Sequence, residues 1–331
     1  MQTAIAVFVI VLGVGLFWAV FRGLRRVLDR AEEWSNAAPE PRLSRSAGED
    51  LVGPEGLVYL YSHQFVKPVP RRPMGSTPRD RAYACQVEDQ ELCPEDFAER
   101  MLYAVLCELY EQDCLELRVT PRSPTFMPPY PQKQWELQIR QCGPFPASPL
   151  GESLSVGFDL ARRNRLRSKK GQEELLPEEE LFTFDEVLER ALRAIRQEMT
   201  FWQRGTVCSD LRRYVEDALI AQGYLHQPER ETWLDKVRSA RPTLNAAAIA
   251  ALSEEAEALE AQLRAFRQHH GSKFAIEPSQ DEQGKLVDMD PELASTKESL
   301  DQLPLDDCVR MTIHEAIVSI KQLEPSGEAG V

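Results

Sequence analysis

The sequence lacks the short motifs that identify a reaction. It contains no GxxxxGK[ST], no GxGxxG and no HExxH pattern, so nothing indicates a phosphate-binding loop, a dinucleotide fold or a zinc protease. The stretch GESLS at 151–155 has serine where a nucleophile elbow requires its second glycine. We therefore predict no enzyme and no cofactor, although residues distant in sequence leave catalysis open.

Metal-binding patterns are also lacking. The five histidines are scattered, and the adjacent pair at 269–270 would point about 100° apart on a helix. The seven cysteines are odd in number, and none of the close pairs has the two-residue spacing of a zinc knuckle. We predict no metal site, and we interpret the cysteines as packing residues in a reducing compartment.

Charge is absent from Thr3 to Phe21, and no Lys or Arg precedes this run. Nineteen residues at about 1.5 Å each just cross a hydrocarbon core of about 30 Å. Four arginines follow directly: Arg22, Arg25, Arg26 and Arg30. The positive-inside bias therefore predicts a single-pass anchor in the cell membrane, with the N-terminus outside and the body cytoplasmic.

The alternatives to an anchor are a cleaved signal peptide and a buried soluble helix, in which an apolar run this continuous is rare. A signal peptide requires a basic n-region and a nearby small-residue cleavage site, and the sequence has neither. The formal net charge of −14 at pH 7 means that the body is repelled by anionic headgroups and by nucleic acid. We expect a body that is tethered to the membrane, and the net charge disfavours nucleic acid as a partner.

The patterning predicts an α+β protein. Residues 1–30 are the anchor and its basic flank, and 31–56 are a polar linker. The unit 57–160 combines a strand at 57–66, a helix at 93–113 and three alternating segments at 114–120, 134–141 and 153–160. Alternation gives one buried and one wet face, so the prediction is a two-layer helix-on-antiparallel-sheet unit.

Helical periodicity dominates the second half. A charged connector at 161–180 leads into a mainly helical module at 181–271, and a polar tail at 272–331 contains a C-terminal amphipathic helix. The predicted helix from Thr243 to His270 carries a heptad-like seam spaced 3, 4, 3, 4 and 3: Ile249, Leu252, Ala256, Leu259, Leu263 and Phe266. This seam indicates either a homodimer or packing on the preceding helices.

Two further segments could contact a partner. The dense basic run at 162–170 is a candidate contact for an anionic surface: Arg162, Arg163, Arg165, Arg167, Lys169 and Lys170. The downstream acidic residues could instead fold back and neutralise it. The C-terminal helix is a candidate docking helix, for a partner or for its own body, with the stripe Val309, Ile313, Ile317 and Ile320.

The function predicted from these features is a membrane-anchored cytoplasmic scaffold or adaptor that binds a protein partner, in a membrane complex for example. The alternative is a membrane-tethered nucleic-acid-binding regulator, because two helix-then-strand runs, at 102–119 and 214–227, loosely resemble winged-helix modules. Neither helix carries the Arg, Asn or Gln cluster that reads base edges.

Overall fold

A computed structural model places the folded part of the chain. The residues that it describes are 52–69, 82–87, 90–121, 135–169, 175–199, 204–227, 242–271 and 304–323. The apolar run at 3–21 and the four arginines after it lie outside these residues. Within the described ranges, no helix is both long and apolar enough to cross a bilayer.

Helices account for most of the described residues. In chain order they are α1 (Pro54–Leu60), α2 (Ser62–Phe65), α3 (Pro94–Glu111), α4 (Pro149–Ser168), α5 (Phe184–Glu198), α6 (Val207–Ala221), α7 (Ala246–Ala250), α8 (Ser253–His270) and α9 (Leu305–Leu323). The strands are β1 (Ala82–Tyr83), β2 (Glu91–Leu92), β3 (Leu115–Pro121), β4 (Trp135–Gln141), β5 (Phe182–Thr183), β6 (Leu225–His226) and β7 (Thr243–Leu244).

The strands form small antiparallel sheets: β1 with β2, β3–β4–β5, and β6 with β7. The fold is thus α+β, as the patterning predicted, and it is mainly helical with small antiparallel sheets. The period-two alternation at 114–120 and 134–141 was interpreted correctly, because Trp135, Leu137 and Ile139 are buried while the residues between them are half-buried.

The segment 57–66 was predicted as a strand and is helical. Helix α1 begins at Pro54 after Gly53, and all seven of its residues are buried. A run that is buried on every side has no polar face, so its hydrophobic pattern does not distinguish a helix from a strand. Pro54 at the first helical position was the available start signal.

The segment 153–160 was also predicted as a strand, and it lies inside helix α4. Ser148 caps this helix by accepting a hydrogen bond from Gly151 N at 3.2 Å, and Pro149 is the first residue. The connector at 161–180 therefore begins with two further turns of helix. The buried side chains recur with helical spacing: Leu150, Leu154, Phe158 and Ala161.

Gly157 sets how closely α4 approaches α5. A Cβ at this position would lie 2.5 Å from the carbonyl oxygen of Val187 on α5. Any side chain would therefore force the two helices apart. This contact joins a segment of the predicted α+β unit to the predicted helical module, and the buried residues of both form one continuous core.

The predicted long helix from Thr243 is shorter and interrupted. Thr243 and Leu244 form strand β7 with β6, and Asn245 caps α7 by accepting a hydrogen bond from Ala248 N at 3.3 Å. Ala251 and Leu252 then form a turn between α7 and α8, and Leu252, with φ −97° and ψ 7°, lies outside helical geometry. The heptad-like seam is consequently divided between two helices.

Candidate functional site

Helix α9 docks antiparallel on α3 through three polar contacts. Lys321 Nζ lies 2.6 Å from Glu95 Oε1, His314 Nδ1 lies 2.6 Å from Glu99 Oε1, and Tyr103 donates to Asp306 Oδ1 at 2.5 Å. Positions rise along α3 as they fall along α9, which is what antiparallel packing requires. Charged and polar pairs therefore fix the direction of this helix.

The apolar stripe of α9 completes the core of the same chain. Helix α9 packs against α3, α5, α6 and α8. The four residues predicted as a docking stripe are all buried there: Val309, Ile313, Ile317 and Ile320. Of the two alternatives, a partner or the chain's own body, the structure places the helix on the body.

The His314–Glu99 contact should make stability depend on pH. The hydrogen bond to Glu99 raises the pKa of His314, with burial opposing it and Glu99, Glu315 and Asp96 adding attraction. A raised histidine pKa contributes stability that is complete below the unfolded pKa and is lost as pH rises through the folded value. Replacement His314→Gln should remove this contribution, about 0.5 kcal/mol for a half-exposed pair.

Urea midpoints measured at about pH 5 and about pH 8 would check this expectation. Wild type should exceed His314→Gln at the lower pH, and the two should converge at the higher pH. The variant Glu99→Gln should behave in the same way because it removes the other partner. A constant gap between wild type and His314→Gln at both pH values would contradict the prediction.

The seam proposed for self-association faces the interior of the chain. Ile249, Leu259, Leu263 and Phe266 are buried, and Leu252 is partly buried against the core. The Phe266 ring stands edge-on to Tyr103 and Tyr110, with ring centroids 6.2 and 5.7 Å apart. The apolar side of α8 therefore packs on helices of the same chain, which is the second alternative given by the sequence.

The basic run lies at the C-terminal end of α4, where acidic residues fold back on it. Arg165 donates to the carbonyl oxygens of Glu179 and Leu181 at 2.5 and 2.7 Å, and its guanidinium lies 4.0 Å from the Phe182 ring centroid. Arg162 pairs with Glu180 at 3.3 Å, and Lys169 pairs with Glu179. Arg163 and Arg167 are exposed, and Lys170 lies outside the described residues.

The outer edge of β3 has no strand partner among the described residues. Cys142 N donates to Cys114 O at 2.8 Å, and the register pairs Leu115 with Gln141. Since hydrogen-bonded and non-hydrogen-bonded pairs alternate in an antiparallel ladder, even-numbered residues of β3 bond to β4. The backbone groups of Leu115, Leu117 and Val119 therefore point outward.

Two observations support this assignment. Proline is tolerated where no ladder donor is needed, and Pro121 falls on the outward-pointing register. Among the described residues, no strand pairs with the outer edge of β3. On the wet face beside it, Glu116 pairs with Arg118 at 3.1 Å and with Arg140.

Reactive side chains in the described ranges do not converge. Burial raises the pKa of both Cys85 and Cys93 to about 12, so these thiols stay protonated at neutral pH. No group of three His, Cys, Asp or Glu residues in those ranges could hold a metal ion. A depression beside Cys208 and Arg212 has a volume of only about 10 Å³, which is room for about one water molecule.

The winged-helix resemblance has a partial structural counterpart. Helix α3 leads into the β3–β4 hairpin, and α6 leads through Gly223, whose φ is +81°, into β6. Arg212 and Arg213, the nearest candidates for base contacts, are half-buried and already interact with other groups. Nucleic-acid binding remains a prediction that these observations do not test.

Sequence reasoning missed three features. One is the outward register of β3, for which Pro121 was the available signal. Another is the buried carboxyl of Glu55. The third is a contact network between α3 and α9: the Arg100 guanidinium lies 5.7 Å from the Tyr103 ring centroid, Tyr103 donates to Asp306, and Asp306 pairs with Arg310. Residues far apart in sequence form this network, so no local pattern could have identified it.

The comparisons with known proteins provide no further assignment: no family model, no curated protein and no solved structure matches this chain.

Proposed function

We propose that the chain is a non-catalytic adaptor, tethered to the cell membrane by residues 3–21 with its body in the cytoplasm. Its body binds an extended segment of a protein partner along the outer edge of β3. The observation that carries the proposal is the outer edge of β3, which no strand in the described residues pairs and where Leu115, Leu117 and Val119 present backbone donors and acceptors. Such an edge accepts an added strand from a partner.

The other two protein-binding surfaces considered from sequence are less available. The seam residues of α8 and the stripe of α9 are buried in the chain's own core. Binding through either surface would first require undocking a helix. Within the described residues the hairpin needs no rearrangement, because no strand there covers the outer edge of β3 and the residues of its wet face are half-buried or exposed.

The size of the edge suits a modest affinity. Seven residues at about 3.3 Å each give a strand of about 23 Å, and only alternate residues bond outward. A membrane tether compensates for this, because it raises the effective concentration of a partner in the same membrane. The adaptor would therefore work best on membrane-associated partners.

Replacement Val119→Pro should abolish partner binding while preserving the fold. Proline removes the outward N–H of Val119, and its ring blocks the approach of an added strand, but no hydrogen bond to β4 is lost. Partner recovery should fall about tenfold or more. The measurement is purification of the full-length chain from membranes in mild detergent, with companions quantified by mass spectrometry.

The matched control is Val119→Ala, which loses the same half-buried side chain but keeps the N–H. It should retain the partner at the wild-type level, with circular dichroism confirming that both variants are folded. The variant Thr120→Pro tests the assignment of the register. The N–H of Thr120 faces β4, so its loss should weaken the hairpin. Equal partner recovery with Val119→Pro and Val119→Ala would rule out the edge of β3 as the binding surface.

A further inference from the structure

Cys114 and Cys142 lie directly opposite each other at the open end of the β3–β4 hairpin. The register pairs Leu115 with Gln141, so the next pair outward is Cys114 with Cys142. Cys142 N donates to Cys114 O at 2.8 Å, which shows that the two residues face each other across the strands. Cys114 N donates to Leu109 O of α3 at 2.9 Å. Two backbone hydrogen bonds therefore hold Cys114 beside Cys142.

The geometry of this pair suits a disulfide bond. Directly opposite residues of an antiparallel pair project to the same face of the sheet. Their Cα atoms are about 5.5 Å apart when the pair is hydrogen-bonded, which lies inside the range of about 4.4–6.8 Å spanned by disulfides. The Cβ atoms would have to approach each other by about 1 Å. A bond between these two cysteines would therefore form with some strain.

Both thiols lie on the wet face of the hairpin, and each is turned to its own acceptor. Cys142 is exposed and Cys114 is half-buried. Cys114 Sγ lies 3.3 Å from Pro144 O, and Cys142 Sγ lies 3.7 Å from Arg140 O. Thiols are weak donors, so rotation about χ1 brings the two sulfurs together at little cost. Gly143, beside Cys114 Sγ, has no side chain to obstruct this rotation.

The other five cysteines lack this combination of pairing and access. Three of them are buried: Cys107, Cys208 and Cys308. Burial raises the pKa of Cys85 and Cys93 to about 12, so their thiols stay protonated at neutral pH. The thiolate is the form that attacks a disulfide. In addition, the register of β1 and β2 does not set Cys85 against Cys93.

We propose that Cys114 and Cys142 form a redox-active dithiol, which a small-molecule disulfide such as oxidised glutathione converts reversibly to a cross-strand disulfide. The exposed Cys142 thiolate attacks one glutathione sulfur, the S–S bond of the oxidant breaks, and one glutathione thiolate leaves. The Cys114 thiolate then attacks Cys142 Sγ and releases the second glutathione. The two cysteines lose two protons and two electrons, and one glutathione disulfide is reduced to two thiols.

The resulting bond would be easy to reduce, because exposed or strained disulfides are the labile ones. In the reducing compartment that the sequence predicts, the dithiol is therefore the resting form, and the disulfide forms only under oxidising conditions. The bond would join the start of β3 to the end of β4. The proposal does not depend on partner binding, because the thiols lie on the wet face while the outer edge of β3 points away from β4.

The full-length chain in mild detergent, equilibrated with glutathione buffers of increasing oxidised-to-reduced ratio, would test this site. Free thiols are then blocked by alkylation, and peptide mapping by mass spectrometry locates the disulfides. A peptide that links residues 114 and 142 of one chain should appear as the ratio rises. It should disappear when the sample is returned to reduced glutathione.

Two serine variants separate the roles of the sulfurs. Cys142→Ser should lose the linked peptide completely, because the attacking sulfur is missing. Cys114→Ser should instead retain glutathione on Cys142 as a mixed disulfide, because the sulfur that displaces it is missing. The matched control is Cys93→Ser, which changes another half-buried cysteine and should form the 114–142 bond as wild type does.

A 114–142 peptide that is lost in both variants and kept in Cys93→Ser supports the proposal. Either of two results would overturn it. One is a wild-type chain that carries only mixed disulfides with glutathione at every buffer ratio. The other is linkage between other cysteines, or between two chains, that is as abundant as the 114–142 bond.

Discussion

Replacing Ile317 with alanine is expected to lower the free energy of unfolding by about 2–5 kcal/mol. Ile317 is fully buried on α9, where the helix packs against α3, α5, α6 and α8. Truncation removes apolar contacts and leaves a cavity that four surrounding helices cannot easily fill. The size of the loss measures how strongly the C-terminal helix is integrated into the core.

Urea unfolding followed by circular dichroism would measure this change. The matched control is Ser319→Ala, an exposed position two residues along the same helix, which should change stability by no more than about 0.5 kcal/mol. A loss below about 1 kcal/mol for Ile317→Ala would mean that α9 contributes little to the core. In that case the prediction that α9 docks on a protein partner would apply again.

Replacing Glu55 with glutamine is expected to stabilise the protein above neutral pH by as much as about 3 kcal/mol. The Glu55 carboxyl is fully buried, and Oε1 accepts a hydrogen bond from Leu150 N at 2.8 Å. Oε2 has no hydrogen-bond partner among the described residues. Burial raises the pKa of Glu55 from 4.5 to about 7, with the hydrogen bond from Leu150 opposing the shift.

The direction of the pH dependence follows from linkage. A raised pKa means that the folded state holds the Glu55 proton more tightly than the unfolded state does. Stability therefore falls as pH rises from 4.5 towards about 7, and changes little further above that. Glutamine is uncharged, like the protonated carboxyl, and it retains an oxygen for Leu150 N. The variant should therefore not lose stability over this pH range.

Unfolding free energies of wild type and of Glu55→Gln, measured at about pH 5 and about pH 8, would check this expectation. Glu55→Gln should be much the more stable at the higher pH, and the difference should shrink towards the lower pH. The control Glu178→Gln changes an exposed carboxyl and should have no comparable effect. A constant difference between Glu55→Gln and wild type at both pH values would show that Glu55 does not titrate in this range.

The helices with one polar face were the elements most predictable from sequence. The apolar spacing within 93–113, 181–199 and 305–323 predicted amphipathic helices, and the structure has α3, α5 and α9 within these ranges. The alternating segments around Leu117 and Leu137 were predictable for the same reason. In each case half of the element meets water, so the hydrophobic period is visible in the sequence.

The wrong secondary-structure predictions lie where an element has no polar face, or where its polar and apolar residues alternate in a misleading way. Helix α1 is buried on all sides, and the alternation of Leu154, Val156, Phe158 and Leu160 imitated a strand inside α4. In α4 only Leu154 and Phe158 of these four are buried, and they are spaced as one helical face requires. Ser148 and Pro149 were better guides than the hydrophobic pattern, because they report how a helix begins.

The sequence by itself determined the charge balance, the uncharged N-terminal run, the amphipathic helices and the β3–β4 hairpin. Only the tertiary structure decided which surfaces remain open. It buried the seam of α8 and the stripe of α9, left the outer edge of β3 without a strand partner in the described residues, and linked Arg100 to Arg310 through Tyr103 and Asp306. The physical reason is that local patterns specify which face of an element avoids water. Which partner covers that face depends on contacts between residues far apart in the chain.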